Sequence, residues 1–150
     1  MTAKTTESQA ISNVLTERWE QVNAKLADLA REFPEEKYET APFAGIRTFG
    51  DVVRHVAFWN QYVTDTAQDR KADGSANELP KTRYATKARM IEALTKSSAD
   101  AAAALRQHKP ALDAEKAALV ESFIEHVCEH YGQLVVYARW AGIVPPASRA

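Results

Sequence analysis

The sequence predicts an all-α protein built as a four-helix bundle, on three observations. Apolar residues recur at three- and four-residue steps over four long segments, which is the spacing of one helix face. The chain has only five glycines, and it is rich in alanine and leucine. No segment shows the strict alternation of a half-buried strand. The length of 150 residues fits one domain, which we expect to span residues 1–150.

The first helix is predicted from about Thr6 to Arg31, and the second begins at Thr48. The first carries apolar residues at helical spacing, namely Ile11, Val14, Leu15, Val22, Leu26 and Leu29. It ends before Pro34, because proline disfavours the helical conformation in the residue that precedes it. The sequence TFGD then places Asp51 three residues after a possible capping threonine, an approximate capping box. We expect this second helix to continue to about Lys71.

The third helix is predicted from near Thr86 until Pro110 interrupts the pattern. The fourth is predicted from near Asp113 to Trp140. Gly142 follows at the position where a glycine commonly ends a helix.

Composition and charge exclude several classes of function. Lys and Arg number 19 and Asp and Glu number 20, so the formal net charge is −1, without the positive excess that nucleic-acid binding needs. No apolar run approaches the roughly 20 residues of a membrane span, and the N-terminus lacks the apolar core of a signal peptide. Cys128 is the only cysteine, so we expect no disulfide framework and a reducing cytoplasm. We expect Cys128 itself to be a small, partly buried residue.

The stretch FIEHVCEHYGQL places two histidines four residues apart. With about 100° per residue, His130 lies about 40° and Gln133 about 20° from His126, on one stripe at the edge of the apolar arc. His55 has the same position on the second helix, so three imidazoles converge if the second and fourth helices are neighbours. Three histidines with one open position form a known zinc arrangement, and imidazole also suits nickel, iron or copper. The alternative is three histidines that are merely hydrogen-bonded in the core.

The segment HVCEH also fits the H-x-x-E-H pattern of one class of zinc proteases. That interpretation requires a further acidic ligand downstream, but only 20 residues follow His130 and none carries a carboxylate. We therefore set the protease interpretation aside. Glu129 is a candidate for a catalytic proton acceptor, and the alternative is a solvated surface glutamate.

Four other residues of the helices and their connections receive no metal-binding role. Trp59 and Tyr62 flank His55 and could wall a pocket, although aromatic residues at helical spacing more often belong to the core. His108, near the end of the third helix, suits the helix dipole and receives no catalytic role. Arg47 is expected to pair with a carboxylate and not to contact a substrate.

Two further segments of the sequence are PFAGIRTFGDVVRHVAFWN and EHVCEHYGQLVVYARWAGIVPPASR. They resemble the two signatures of the DinB/YfiT-like superfamily. The resemblance implies a four-helix bundle, often dimeric, with a divalent metal held by three histidines. His55 matches the ligand of the first signature, and His126 and His130 match the pair of the second. Gly132 and Gln133 match the Gly-Gln that follows, and we expect Gly132 to permit close helix packing.

Some relatives of this kind transfer low-molecular-weight thiols such as bacillithiol, mycothiol or glutathione onto electrophiles, others isomerise a thiol adduct, and one is described as a metal-dependent hydrolase. The resemblance therefore implies a cytoplasmic homodimer that binds Zn, Ni or Fe and acts on a small-molecule substrate, with a thiol as a possible partner. The charge balance and the lack of a long apolar run predict no nucleic-acid partner and no membrane partner. One alternative is a bundle that binds a metal or small molecule without turnover, as in a stress response. Another is a structural protein whose surface serves dimerisation.

Overall fold

The computed structural model describes residues 3–108 and 111–149, and it confirms an all-α fold within them. The helices are α1 (Ala3–Glu32), α2 (Phe49–Ala67), α3 (Lys87–Gln107) and α4 (Ala114–Trp140), and the described residues contain no strand. Pro110, the predicted end of the third helix, lies outside the described residues. None of the described helices combines the length and apolar character needed to cross a bilayer.

The predicted helix starts are set by side-chain caps. The Thr48 hydroxyl accepts from the Asp51 N–H, and the Asp51 carboxylate accepts from the Thr48 N–H, which completes the predicted capping box. Thr86 caps α3 and Asp113 caps α4. Gly142 follows α4 with φ of +81°, the left-handed conformation in which glycine carries no steric penalty.

The predicted end of the second helix at Lys71 is wrong, because α2 ends at Ala67. Asp69 adopts φ of +55°, its N–H donates to the Thr66 carbonyl, and the Arg70 N–H donates to the Asp65 carbonyl. This pair of hydrogen bonds is a Schellman motif with aspartate in the position usually taken by glycine. Aspartate tolerates the left-handed region, so helical apolar spacing alone did not reveal the stop.

Each of α1 and α2 packs chiefly against α3 and α4, so α2 and α4 are direct neighbours. A buried polar layer lies within the core, where the Asn60 amide donates to Asn23 and to Ser97. At one end of the bundle Phe33 stacks on Phe49 with ring centroids 3.9 Å apart. The neighbouring arrangement of α2 and α4 is the condition that a site shared by these two helices requires.

Arg54 is 1% exposed and anchors α2 to the loops on either side of it. Its guanidinium donates to Glu39, to the capping residue Asp51 and to the Tyr84 carbonyl. A buried cation is tolerated only when paired, and here two carboxylates pair it. Arg54 directly precedes His55, so these contacts hold in place the segment of α2 that carries His55.

Two expectations for α4 are wrong. A Cβ added at Gly132 meets no atom within 4 Å, so this glycine does not serve close packing among the described residues. Cys128 is exposed, whereas partial burial was expected. Both residues lie on the outward face of α4, beyond the apolar arc that packs on the bundle.

We expect alanine substitutions at two helical glycines to have opposite effects on stability. A Cβ at Gly50 would lie 2.7 Å from Glu39 Oε1 and 3.2 Å from the Tyr38 carbonyl oxygen, so Gly50→Ala should lower the free energy of unfolding by about 1–3 kcal/mol. Gly132→Ala should raise it by about 0.5–1 kcal/mol, because alanine replaces glycine in an open helical position. Urea denaturation measures both, and a loss of stability in Gly132→Ala would contradict the open surroundings of that residue.

Candidate metal centre

The three predicted histidines converge between α2 and α4. His55 Nε2 lies 2.9 Å from His126 Nε2, and His130 Nε2 lies 3.1 Å from the same atom. The three imidazoles form a group that could hold a metal ion, with ligand atoms within 4.8 Å of one another. His55 is buried, and the other two are half-buried. The spacing of four residues on α4 and the matching edge position on α2 thus bring the rings together as the sequence predicted.

A backbone carbonyl fixes the tautomer of His55. His55 Nδ1 lies 2.6 Å from the Asn77 carbonyl oxygen, which can only accept, so Nδ1 carries the proton and the neutral ring has its lone pair on Nε2. Asn77 adopts φ of +61°, which asparagine tolerates better than most residues. Its side-chain oxygen also accepts from Trp59 Nε1. Asn77 therefore orients both the imidazole and the neighbouring indole.

A chain of hydrogen bonds fixes the tautomer of His130. The Arg47 carbonyl can only accept, so the Tyr137 hydroxyl donates to it at 2.9 Å. The Tyr137 oxygen then accepts from Gln133 Nε2 at 2.8 Å, which leaves Gln133 Oε1 facing His130 Nδ1 at 3.0 Å. His130 Nδ1 must therefore donate, and its Nε2 lone pair points toward His126.

His126 differs from the other two, because its buried Nδ1 has no hydrogen-bond partner in the described part of the chain. Its Nε2 lies between the lone pairs of His55 and His130. A single proton on that nitrogen can point at only one of the two neighbours. At least one pair of nitrogens therefore meets without a proton between them, which favours a cation among the three.

Burial is the main cause that keeps the three imidazoles neutral. Burial lowers the pKa of His55 to about 4. Burial, followed by the charges that the other two imidazoles would carry, lowers the pKa of His126 to about 3. Burial also lowers the pKa of His130, although its hydrogen bond to Gln133 opposes this. Near pH 7 the rings are therefore in the neutral form that metal binding requires.

Other predicted residues lie around the centre in different roles. Arg47 Nε lies 4.0 Å from Glu78 Oε2, a long ion pair, and its guanidinium helps to lower the pKa of all three histidines. Glu129 is exposed, and its charge raises the pKa of His130. His108 follows the last residue of α3 and is not part of the histidine group.

Of the groups that orient the rings, sequence reasoning singled out Gln133 but missed the roles of Tyr137, Asn77 and Arg47. Tyr137 continues the stripe of His126, His130 and Gln133 by one more turn, and this spacing could have revealed it. Asn77 and Arg47 act through backbone carbonyls, and a backbone group has no side-chain pattern. Asn77 also lies in a loop, where no periodicity predicts its position.

We expect the stability of the metal-free protein to depend on pH through His55 and His126. These residues titrate near 6.5 in the unfolded chain but at about 4 and about 3 in the folded protein. Between pH 7 and 5 the unfolded state therefore binds protons that the folded state does not. The free energy of unfolding should fall as the pH decreases, by up to about 1.4 kcal/mol per pH unit for each histidine.

Urea denaturation at pH 7, 6 and 5 measures this slope, above the range in which most carboxylates titrate. A variant with both His55→Gln and His126→Gln should show a clearly smaller slope than the wild type. An identical slope in the double variant and the wild type would contradict the assignment.

Comparison with known proteins places the chain in a family. Residues 18–134 match the sequence model of the DinB superfamily, so the match covers well over half of the 150 residues. It includes α2 and all three histidines of the cluster. A comparison with curated proteins finds none that matches the chain. The chain belongs to the DinB superfamily.

Proposed function

We propose that His55, His126 and His130 bind a divalent metal ion and that this centre serves a thiol-transfer or hydrolytic reaction. The observation that carries the proposal is the convergence of the three Nε2 atoms, two of which have their lone pairs fixed by hydrogen bonds at Nδ1. Merely structural histidines would be expected to place a proton between each pair of close nitrogens. Zinc, nickel and iron all suit a set of neutral imidazoles.

The nitrogen–nitrogen distances in the cluster are close to those of three imidazoles around a zinc ion. Zinc binds imidazole nitrogen at about 2.0–2.1 Å, so three nitrogens at tetrahedral angles lie about 3.3 Å apart. The nitrogen separations of 2.9 and 3.1 Å are slightly smaller, and a small outward shift of the rings would accommodate the ion. The hydrogen bonds at His55 and His130 match the outer-shell partners that orient metal-binding histidines in general.

The chain's own residues prepare the centre in three ways. Three neutral nitrogens bind the ion, the Asn77 carbonyl and the Gln133 amide hold two of the rings in place, and burial of His55 restricts water on the α2 side. A divalent ion held there would supply Lewis-acid activation, which lowers the pKa of a bound water or thiol. The positive charge of Arg47 beside the histidines also favours an anionic group at the centre.

We expect the purified protein, loaded with zinc and dialysed, to retain about one ion per chain. His55→Ala and His126→Ala should each reduce retention to near background, because two imidazoles bind zinc much more weakly than three. His108→Ala is the matched control and should retain wild-type zinc. Elemental analysis measures the content, with circular dichroism to verify folding, and full stoichiometry in the His55→Ala, His126→Ala double variant would refute the metal site.

We expect Gln133 to control zinc affinity although it is not a ligand. Gln133→Leu removes the acceptor of the His130 Nδ1 proton, and loss of such a partner typically weakens metal binding by about 10–100-fold. Tyr137→Phe should have a smaller effect in the same direction, because it frees the amide to reorient. Tyr131→Phe is the control on the same helix. Competition with a chromophoric chelator measures the affinities, and a change of less than about twofold in Gln133→Leu would contradict this role.

A centre that binds a metal or small molecule without turnover is the second candidate. It is favoured by the positions of Glu129 and Cys128, which are both exposed, so neither supplies a buried acid or nucleophile. Assays of glutathione and bacillithiol with a fluorogenic electrophile, with and without a chelator, separate the two functions. Chelator-sensitive turnover supports the enzyme, and zinc binding without turnover of either thiol supports the binding protein.

A further inference from the structure

A groove with three aromatic side chains in its lining lies beside the three histidines, between α2 and α4. Its volume is about 440 Å³, and six residues line it: Trp59, Tyr62, Ala118, Leu119, Ser122 and Phe123. We call this the aromatic groove. None of the lining residues is charged.

The aromatic groove begins one helical turn from the histidines on both helices. Phe123 precedes His126 by three residues, about 4.5 Å along the axis, and their ring centroids are 5.9 Å apart. Trp59 follows His55 by four residues, with ring centroids 6.2 Å apart. Trp59 and Phe123 themselves lie 5.5 Å apart at 30°. A small molecule in which a single ring is attached to a polar group can therefore contact the groove with its ring and the histidines with its polar group.

Contacts with the neighbouring loop and contacts within the groove hold its shape. The Asn77 side chain accepts from Trp59 Nε1 at 3.1 Å, and a Cβ at Gly74 would lie 2.9 Å from Trp59 Cη2, so the loop backbone packs closely on the indole. Tyr62 packs on Phe123 with centroids 5.7 Å apart. These contacts order the aromatic side chains before any ligand binds, which reduces the entropic cost of binding.

The chemistry of the lining selects the part of a ligand that it can bind. Burying a charged group against apolar and aromatic side chains is costly, whereas burying a flat hydrocarbon is favourable in proportion to its area. Ring-to-ring contacts at 4.5–7 Å add to that gain. The positive charge of Arg47 lies near the histidines and not in the groove lining, so the two ends of the site differ in polarity.

We propose that the aromatic groove binds the flat, uncharged hydrocarbon part of a small molecule whose polar end lies at His55, His126 and His130. The substrate class is thus a compact molecule with an aromatic or similarly flat group next to a metal-binding polar group. This inference rests on the proposed function for the polar end, because that end requires an ion at the histidines. The binding of the hydrocarbon end does not depend on the ion.

The first experiment tests the groove without metal. Naphthalene, an uncharged flat probe, is added to chelator-treated protein and its binding is followed by saturation-transfer NMR. The wild type should give a clear signal, and Ser122→Glu, which places a carboxylate at an exposed lining position, should lose most of it. Val136→Glu is the matched control, because Val136 is exposed on α4 outside the groove. No signal in the wild type, or an unchanged signal in Ser122→Glu, overturns the proposal.

The second experiment tests the link to the histidines. Zinc-loaded protein is titrated with benzohydroxamate and acetohydroxamate, which share a metal-binding end but differ in the ring. The wild type should bind benzohydroxamate at least about tenfold more tightly, and this preference should fall to about threefold or less in Phe123→Ala and Ser122→Glu, with zinc content unchanged. Equal affinities in the wild type, or an unchanged preference in both variants, overturn the proposal. Naphthalene binding without zinc retention supports the groove and refutes the proposed metal function.

Discussion

Two backbone carbonyl groups determine what the histidine cluster can do, because a carbonyl accepts hydrogen bonds and never donates them. The Asn77 carbonyl accepts a hydrogen bond directly from the Nδ1–H group of His55. The Arg47 carbonyl determines the direction of every hydrogen bond from Tyr137 through Gln133 to His130. Two Nε2 lone pairs therefore face His126, and their direction is set by hydrogen bonds within the protein. Both carbonyls belong to loops, so the chemistry of helical side chains depends on how the connections are folded.

Most of the fold could be predicted from the sequence, because its determinants are local. Apolar spacing located four helices, and the caps at Thr48 and Asp113 fixed two of the starts. The predicted end of α2 was wrong because Asp69 takes the left-handed backbone conformation. Aspartate adopts this conformation only occasionally, so its presence in the sequence is a weak signal for the end of a helix. The surroundings of Gly132 could not be predicted either, since they depend on which residues of other helices reach that face.

The histidines of the candidate site could be predicted from the sequence, but the loop groups that orient their rings could not. Helical geometry alone placed His126, His130 and Gln133 on one stripe, and the same geometry placed His55 at the matching edge of α2. Their convergence still required α2 and α4 to be neighbours, a tertiary fact. The contribution of Asn77 arises from a loop conformation with φ of +61°, and no periodic pattern carries that information.

The participation of both α2 and α4 has a consequence for how the protein unfolds. His55 and His126 are 71 positions apart in the chain, so an ion shared by them closes a long loop, as a disulfide would. The full set of three histidines is assembled only in the folded chain, so an ion that bound there would stabilise the native state by mass action. Separating α2 from α4, even locally, would dismantle the ligand set. An ion at this position would therefore act as a reversible cross-link whose release reports opening of the bundle on that side.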